Sequence, residues 1–115
     1  MTQDCLFCKI AKGEIPSDFV YEDDSVVAFR DINPQAPLHV LVIPRQHVEK
    51  ISQLEQNDTA LVARMIAAAN CIAAEQNIAE NGYRLVLNCG ADGGQEVYHI
   101  HLHLLGGRKM NWPPG

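Results

Sequence analysis

The segment His99-Ile100-His101-Leu102-His103-Leu104-Leu105 constrains this chain more than any other stretch. Side chains alternate between the two faces of a β-strand, so a spacing of two sets three imidazoles on one face, roughly 7 Å apart. Ile100, Leu102 and Leu104 then turn to the opposite face, which must be core. Val97 to Leu105 is read as the last strand, closed by Gly106-Gly107. Imidazole exchanges protons near neutral pH and also serves as a nucleophile. Three rings on one face can divide attack, proton donation and control of tautomer among themselves. A polar strand face that merely happens to be His-rich is the weaker account, because three of the chain's 5 histidines fall in this alternation. A metal site is an account that spacing leaves open, since alternating histidines also ligate zinc.

The rest of the chain supplies a frame for that strand. Residues 5–11 read as a short helical turn stopped near Gly13, with Pro16 beyond. Strands are expected at 19–22 and 25–30, joined by a turn at Asp23-Asp24. Asp31 to Pro37 is a loop, because Pro34 and Pro37 each disfavour helix at the residue before them. His39-Val40-Leu41-Val42-Ile43 is a strong strand ended by Pro44. If it neighbours the last strand, His39 sits opposite the histidine triplet. Ser52-x-x-Glu55 has the form of a capping box for a short turn. A long helix follows from about Asp58 to Gln76, with Leu61, Met65, Ala68 and Ile72 at helical spacing and Val62, Ile66, Ala69 and Ala73 widening the stripe. Such a face can cover a sheet and still meet a partner. It can equally be a packed helix with surface alanines. Tyr83 to Asn88 is a strand, Ala91 to Gly94 a turn, and the tail after Gly107 irregular. Strands predominate, connections are short and one helix is long, which predicts an α+β fold: an antiparallel sheet with helices on one face.

Composition narrows the function. The 115 residues, 47% of them hydrophobic, fit one domain spanning 1–115. A formal net charge of −5 argues against a dedicated nucleic-acid binder, which shows a clustered basic face. No apolar run of about 18 residues predicts a membrane helix, and the N-terminus lacks the pattern of a secretory signal. The expected compartment is the cytoplasm. There the 4 cysteines do not imply disulfides. Cys71 and Cys89 lie in apolar stretches and read as buried thiols. Cys5-x-x-Cys8 is a metal or redox candidate.

With its flanks, the His99-x-His101-x-His103 motif resembles the histidine triad superfamily, and within it the Hint branch of nucleotide-binding phosphoramidases. Glu14-Ile15-Pro16, Tyr21-Glu22-Asp23-Asp24, Phe29-Arg30-Asp31-Ile32, Pro34-Gln35-Ala36-Pro37, Leu41-Val42-Ile43-Pro44, Gly93 to His99 and the tail through Trp112-Pro113-Pro114-Gly115 all match that branch. The resemblance implies a homodimer in which two five-stranded sheets join, each with one long and one short helix. It implies hydrolysis of purine nucleoside phosphoramidates of the AMP-amine and AMP-lysine type, without a metal in the chemistry.

Carried over by position, the resemblance makes His101 the nucleophile on the α-phosphorus, with a nucleotidyl-imidazole intermediate. His103 would contact the phosphate and assist proton transfer. His39 would hydrogen-bond His101, and His99 completes the triad. Asn88 and the backbone of Gly94, Gln95 and Glu96 would hold the phosphate, and Asp31 the ribose hydroxyls. Phe7, Ile10, Phe29, Ile32 and Leu41 would form the base slot, though the first three and Leu41 fit plain core as well. Asp31 beside Asn33-Pro34 also fits a simple turn. Trp112 would reach the partner's site or anchor the tail.

Two positions depart from the branch or vary within it. Glu96 stands where many members have a small hydroxyl residue, and a carboxylate there repels a phosphate. Arg30, at the ribose–base edge, is variable.

Some bacterial members of the superfamily hold zinc through two N-terminal cysteines, a histidine and the first triad histidine. Here those positions are Cys5, Cys8, His47 and His99, with a structural role; two reduced cysteines and an exposed histidine are the alternative. Other functions remain to be separated. One is a dinucleoside polyphosphate hydrolase or nucleotidyl transferase of the same superfamily. Another is a non-catalytic nucleotide-binding regulatory dimer.

Overall fold

The computed structural model describes residues 4–115. Five strands are present: β1 (Phe19–Glu22), β2 (Val26–Arg30), β3 (Leu38–Pro44), β4 (Tyr83–Leu87) and β5 (Leu102–Gly106). They form one sheet in the order β1-β2-β3-β5-β4, and every neighbouring pair is antiparallel. The turn between β1 and β2 is set by Asp23, whose Oδ1 accepts from the amides of Ser25 and Val26 at 2.7 and 2.9 Å. Two helices, α1 (Leu6–Ala11) and α2 (Thr59–Glu75), complete the fold with short 3-10 turns at Ile51–Gln53 and Gln56–Asp58.

The helices lie on opposite faces of the sheet, not on one face as the sequence suggested. Met65, Ala68, Ala69 and Ile72 of α2 pack on Val26, Ala28, Val40, Val42, Leu102 and Leu104. Phe7, Ile10 and Ala11 of α1 pack with Val27, Phe29, Leu41 and Ile43 on the other side. The reason is in the central strands. β3 is buried at all seven positions, so both its faces need cover. The alanines of α2 let that helix lie close to the sheet. α2 ends in a Schellman motif, with Asn77 at φ 62° and the Ile78 amide donating to the Ala73 carbonyl at 3.0 Å.

The last strand begins at Leu102 rather than Val97. Leu102 pairs with Val42, so continuing the ladder would set Ile100 against Pro44. Pro44 has no N–H, and its carbonyl already accepts from His99 Nε2 at 2.8 Å. Ile100 donates instead to Val48 O at 2.8 Å. Ser52 is not a cap either: it lies inside a 3-10 turn, and the capping box is made by Glu55 and Asp58. Cys71 is exposed and Cys89 half-buried, so neither is the buried thiol expected from its apolar neighbours. Cys71 falls on the outer side of α2, facing Glu75 at 3.5 Å.

The loop at 90–94 turns the chain from β4 back toward the histidine segment. It closes tightly at Gly93, where a Cβ would sit 2.5 Å from the Cys89 carbonyl oxygen and 2.9 Å from its nitrogen. Both are backbone atoms and cannot swing aside. Gly93→Ala is therefore expected to destabilise the fold by about 1–3 kcal/mol, read as a lower denaturant midpoint at unchanged slope. An unchanged midpoint would contradict this packing.

Candidate active site

Register brings the histidines together. Leu41 pairs with His103 and His39 with Leu105, so His39 and His103 are diagonal neighbours on the α1 face of β3 and β5. His101 and His103 rings have centroids 5.0 Å apart, and Phe7 of α1 stands edge-on to His101 at 5.2 Å and to His99 at 6.0 Å. The alternation thus holds for the ring directions, although only His103 lies within the regular strand.

Hydrogen bonds fix the tautomers. The Gln35 amide donates to His39 Nδ1 at 3.0 Å, so that nitrogen is bare and the proton sits on Nε2. His39 Nε2–H then donates to His103 Nδ1 at 2.9 Å, leaving His103 with its proton on Nε2. His101 Nδ1–H donates to the His99 carbonyl at 2.9 Å, leaving Nε2 as its bare nitrogen. The expected bond from His39 to His101 is absent; His39 steadies His103 instead, because it is His103 that stands diagonal to it in the register. Burial holds the His103 imidazole down at about 4, with His101 and His39 acting in the same direction and Asp31 against them. His39 is likewise lowered by burial, opposed by Asp31. This pair is therefore neutral at physiological pH.

These rings open on a cavity of about 710 Å³. Its wall includes Phe7, Ile10, Phe29, Leu41, His101 and His103, and Phe7 meets Phe29 edge-on at 5.6 Å. The four apolar residues belong to the α1-side core and line the cavity as well. Ile32 also borders the cavity but is fully exposed, which puts it at the mouth rather than inside a slot. Asp31 is on the wall too. Its Oδ1 accepts from the Asn33 amide at 2.9 Å, and its Oδ2 lies 3.4 Å from His39 Nε2. It is a turn residue and a cavity residue at once. Arg30 lines the same region, 3.4 Å from Asp18.

The expected phosphate contacts are only partly in place. The amides of Gly94 and Gln95 donate to Ala91 O and Gly90 O, both at 3.0 Å. The Gln95 side chain is also committed, accepting from the Gly90 amide at 2.9 Å and donating to Glu49 O and Val97 O at 2.7 and 3.1 Å. Gln95 is thus a brace for the loop. Glu96 is left to face the cavity. Asn88 and Trp112 are not on the wall, and Trp112 is 82% exposed. Sequence reading missed the backbone groups that set the tautomers, Gln35 N–H and the carbonyls of His99 and Pro44. Amides and carbonyls are common to all residues and leave no mark in a sequence.

A second cluster gathers Cys5, Cys8, His47 and His99, whose ligand atoms lie within 4.8 Å of one another. His99 Nδ1 is 3.3 Å from Cys5 Sγ, 3.5 Å from Cys8 Sγ and 3.2 Å from His47 Nδ1. Cys8 Sγ is 3.3 Å from His47 Nδ1. A tetrahedral zinc sets its S and N ligands roughly 3.3–3.8 Å apart, so the spacing fits. The tautomer fits as well: His99 donates from Nε2 to Pro44 O, which turns a bare Nδ1 toward the thiols. Burial, reinforced by Cys5, pushes the Cys8 thiol up to about 11. A cation bound at the cluster would favour the ionised form of Cys8.

The comparisons agree with this geometry. The HIT domain family model matches residues 12–110. An uncharacterized HIT-like protein of Synechococcus elongatus is 50% identical over 115 residues, covering 100% of both chains. The purine nucleoside phosphoramidase of Escherichia coli K12 is 51% identical over 110 residues, 96% of this chain and 92% of that one. The crystal structure of a HIT family hydrolase from Legionella pneumophila superposes with a TM-score of 0.96 at 55% identity, covering 97% of this chain and 100% of that one. A histidine triad protein from Clostridium difficile superposes at 0.92 with 48% identity over 94% of each. The alternating histidines, the sheet that carries them and these matches have one conclusion: the chain belongs to the HIT domain family.

Proposed function

We propose that this chain is a purine nucleoside phosphoramidase that cleaves the P–N bond of AMP-amine and AMP-lysine substrates through a nucleotidyl-histidine intermediate. The observation that carries the reading is the bond from His101 Nδ1–H to the His99 carbonyl. It commits one nitrogen and leaves Nε2 with a free lone pair on a ring that lines the cavity. Nε2 attacks the α-phosphorus as the P–N bond breaks, and the departing nitrogen takes up a proton from solvent water. Water then attacks the phosphorus, releases the nucleoside monophosphate and restores His101. The relatedness to the E. coli phosphoramidase supports this activity over that of a dinucleoside polyphosphate hydrolase.

The other residues follow from their places. His103, neutral with its proton on Nε2, donates to a phosphoryl oxygen; the Gln35–His39 relay keeps it in that tautomer. The Glu96 amide, which makes no backbone bond among the described residues, adds a second donor without a compensating charge. Phe7, Ile10, Phe29 and Leu41 receive the base, with Ile32 at the entrance. Asp31 Oδ2 accepts from the ribose diol.

The partner is a second copy of the chain. β4 is an edge strand with its outer backbone groups unpaired in the sheet, and Ile66 stands exposed on the outer side of α2. Trp112, exposed on the tail, then reaches the other copy's cavity. Zinc, held by Cys5, Cys8, His47 and His99, would supply a structural tie between α1 and the histidine segment. The activity needs no nucleic acid, and no helix among the described residues is long and apolar enough to cross a membrane.

His101→Ala should lower turnover of an AMP phosphoramidate by about 10³-fold or more while AMP still binds. Brief exposure of the unsubstituted protein should give a transient adduct of AMP mass at His101. Absence of turnover on every phosphoramidate would favour a regulatory binding dimer instead.

The His103 ring should stay neutral at pH 6 and titrate near 4 in an NMR titration. Since its folded value lies below the unfolded 6.5, its contribution to stability is present above about pH 6.5 and is lost as pH falls toward 4. A midpoint near 6.5 would contradict the burial that holds this ring neutral.

The reduced protein should bind one zinc per chain with release of thiol protons, and Cys8→Ala should weaken it at least about tenfold. Equal affinity in the variant would reject the site.

A further inference from the structure

Glu96 is the carboxylate that the steps above leave without a task. It is exposed, and the ion pairs among the described residues join Arg30 to Asp18 and His39 to Asp31, so Glu96 is uncommitted. It lines the catalytic cavity beside His101 and also lines a second cleft of about 370 Å³. The cavity and the cleft share Leu6, Glu96 and Val97 as a common wall. Beyond that wall the cleft adds Asp4, Glu49 and Tyr98, with Cys5 and His47 of the cysteine–histidine cluster, and contains no Lys or Arg. In the cavity the sole Lys or Arg is Arg30, on β2, with β3 lying between β2 and the strand that Glu96 leads into. At the Asp31 end Arg30 is paired with Asp18, whereas the carboxylates at the Glu96 end have no Lys or Arg among the residues lining the cleft.

A carboxylate beside an anionic phosphate weakens binding unless the substrate brings a positive charge to the same place. The apolar slot takes the base and Asp31 takes the ribose, which leaves the cleft for the departing amine. We propose that Glu96, backed by Glu49 and Asp4, selects phosphoramidates whose leaving group carries a second, protonated amine. The proposal rests on the phosphoramidase reading and names the substrate class of that site. In the step itself, His101 Nε2 bonds to phosphorus, the P–N bond breaks and the departing nitrogen gains one proton from solvent water. The distal ammonium only binds and is unchanged.

The test compares three AMP phosphoramidates, made from n-propylamine, 1,3-diaminopropane and β-alanine, so that the leaving group is neutral, cationic or anionic. At low ionic strength the protein should favour the diamine over the β-alanine compound by about tenfold in kcat/KM, and added salt should shrink the ratio. Glu96→Gln should reduce it to about twofold and Glu96→Lys should invert it, with thermal melts verifying that both variants are folded. Robust turnover with the same ratio in the parent and in Glu96→Gln overturns this proposal alone. Turnover of none of the three by the parent overturns the phosphoramidase reading and this one with it.

Discussion

The carbonyl of His99 accepts the Nδ1 proton of His101, while the ring of the same residue donates from Nε2 to Pro44 and turns Nδ1 to the cysteines. His99 is wholly buried, and its contacts with Pro44 and His101 are made away from water. A buried polar group without a partner costs about 1–3 kcal/mol, which makes this arrangement hard to exchange for another. The end of β3 is what permits it. Pro44 cannot extend the ladder, its carbonyl is free for His99, and the histidine segment joins the sheet only at Leu102, just after His101. A regular strand through residues 97–101 would have spent the His99 carbonyl on a neighbouring strand and left the His101 tautomer unset.

Neutrality of the relay is the second consequence of burial. A charged imidazole at His103 would compete for solvent that the α1 face does not offer, and the ring is held neutral well below physiological pH. A neutral N–H still donates to a phosphoryl oxygen, and its strength grows where water is excluded. Asp31, 3.4 Å from His39, pulls the other way, yet burial prevails in both His39 and His103. The site therefore presents donors of fixed direction instead of mobile charges. That suits a reaction whose charge develops on oxygens of known position.

Much of this was legible in the sequence, for stated reasons. Period-two alternation gave the face of His103 and the core role of Leu102 and Leu104, because side-chain direction follows from strand geometry; His99, Ile100 and His101 keep the alternation although they precede β5. The helical stripe through Met65, Ala68 and Ile72 located α2 almost to its ends. What stayed hidden depends on which elements meet. The continuous apolar runs of β2 and β3 held the signal that both faces are covered, yet nothing local says that α1 takes one and α2 the other. The start of β5 was misplaced because the Pro44 that blocks its ladder lies 58 residues before Leu102 in sequence and opposite Ile100 only in the fold. Cys71 was misjudged because an apolar stretch on a helix has an outer side. His39 went to His103 and not His101 because register, which a single sequence does not print, sets diagonal partners.

α1 shows why a helix of six residues can matter to the chemistry. Cys5 caps it with Sγ facing the Cys8 amide at 3.4 Å, so the Cys-x-x-Cys spacing and the first helical turn are one structure. Between the two cysteines stands Phe7, which leans on His101 and His99 and forms the cavity wall with Phe29. At the other end the Ala11 carbonyl accepts from Arg45 Nη1 at 2.9 Å, and Arg45 Nε donates to Asp23 O at 2.9 Å, tying the helix to the β1–β2 turn. So short a helix has little intrinsic stability, and its position rests on such attachments. The cysteine–histidine cluster fixes the end nearest His101. The apolar wall of the cavity at Phe7 and the His101 ring are thereby referred to the same residue, His99.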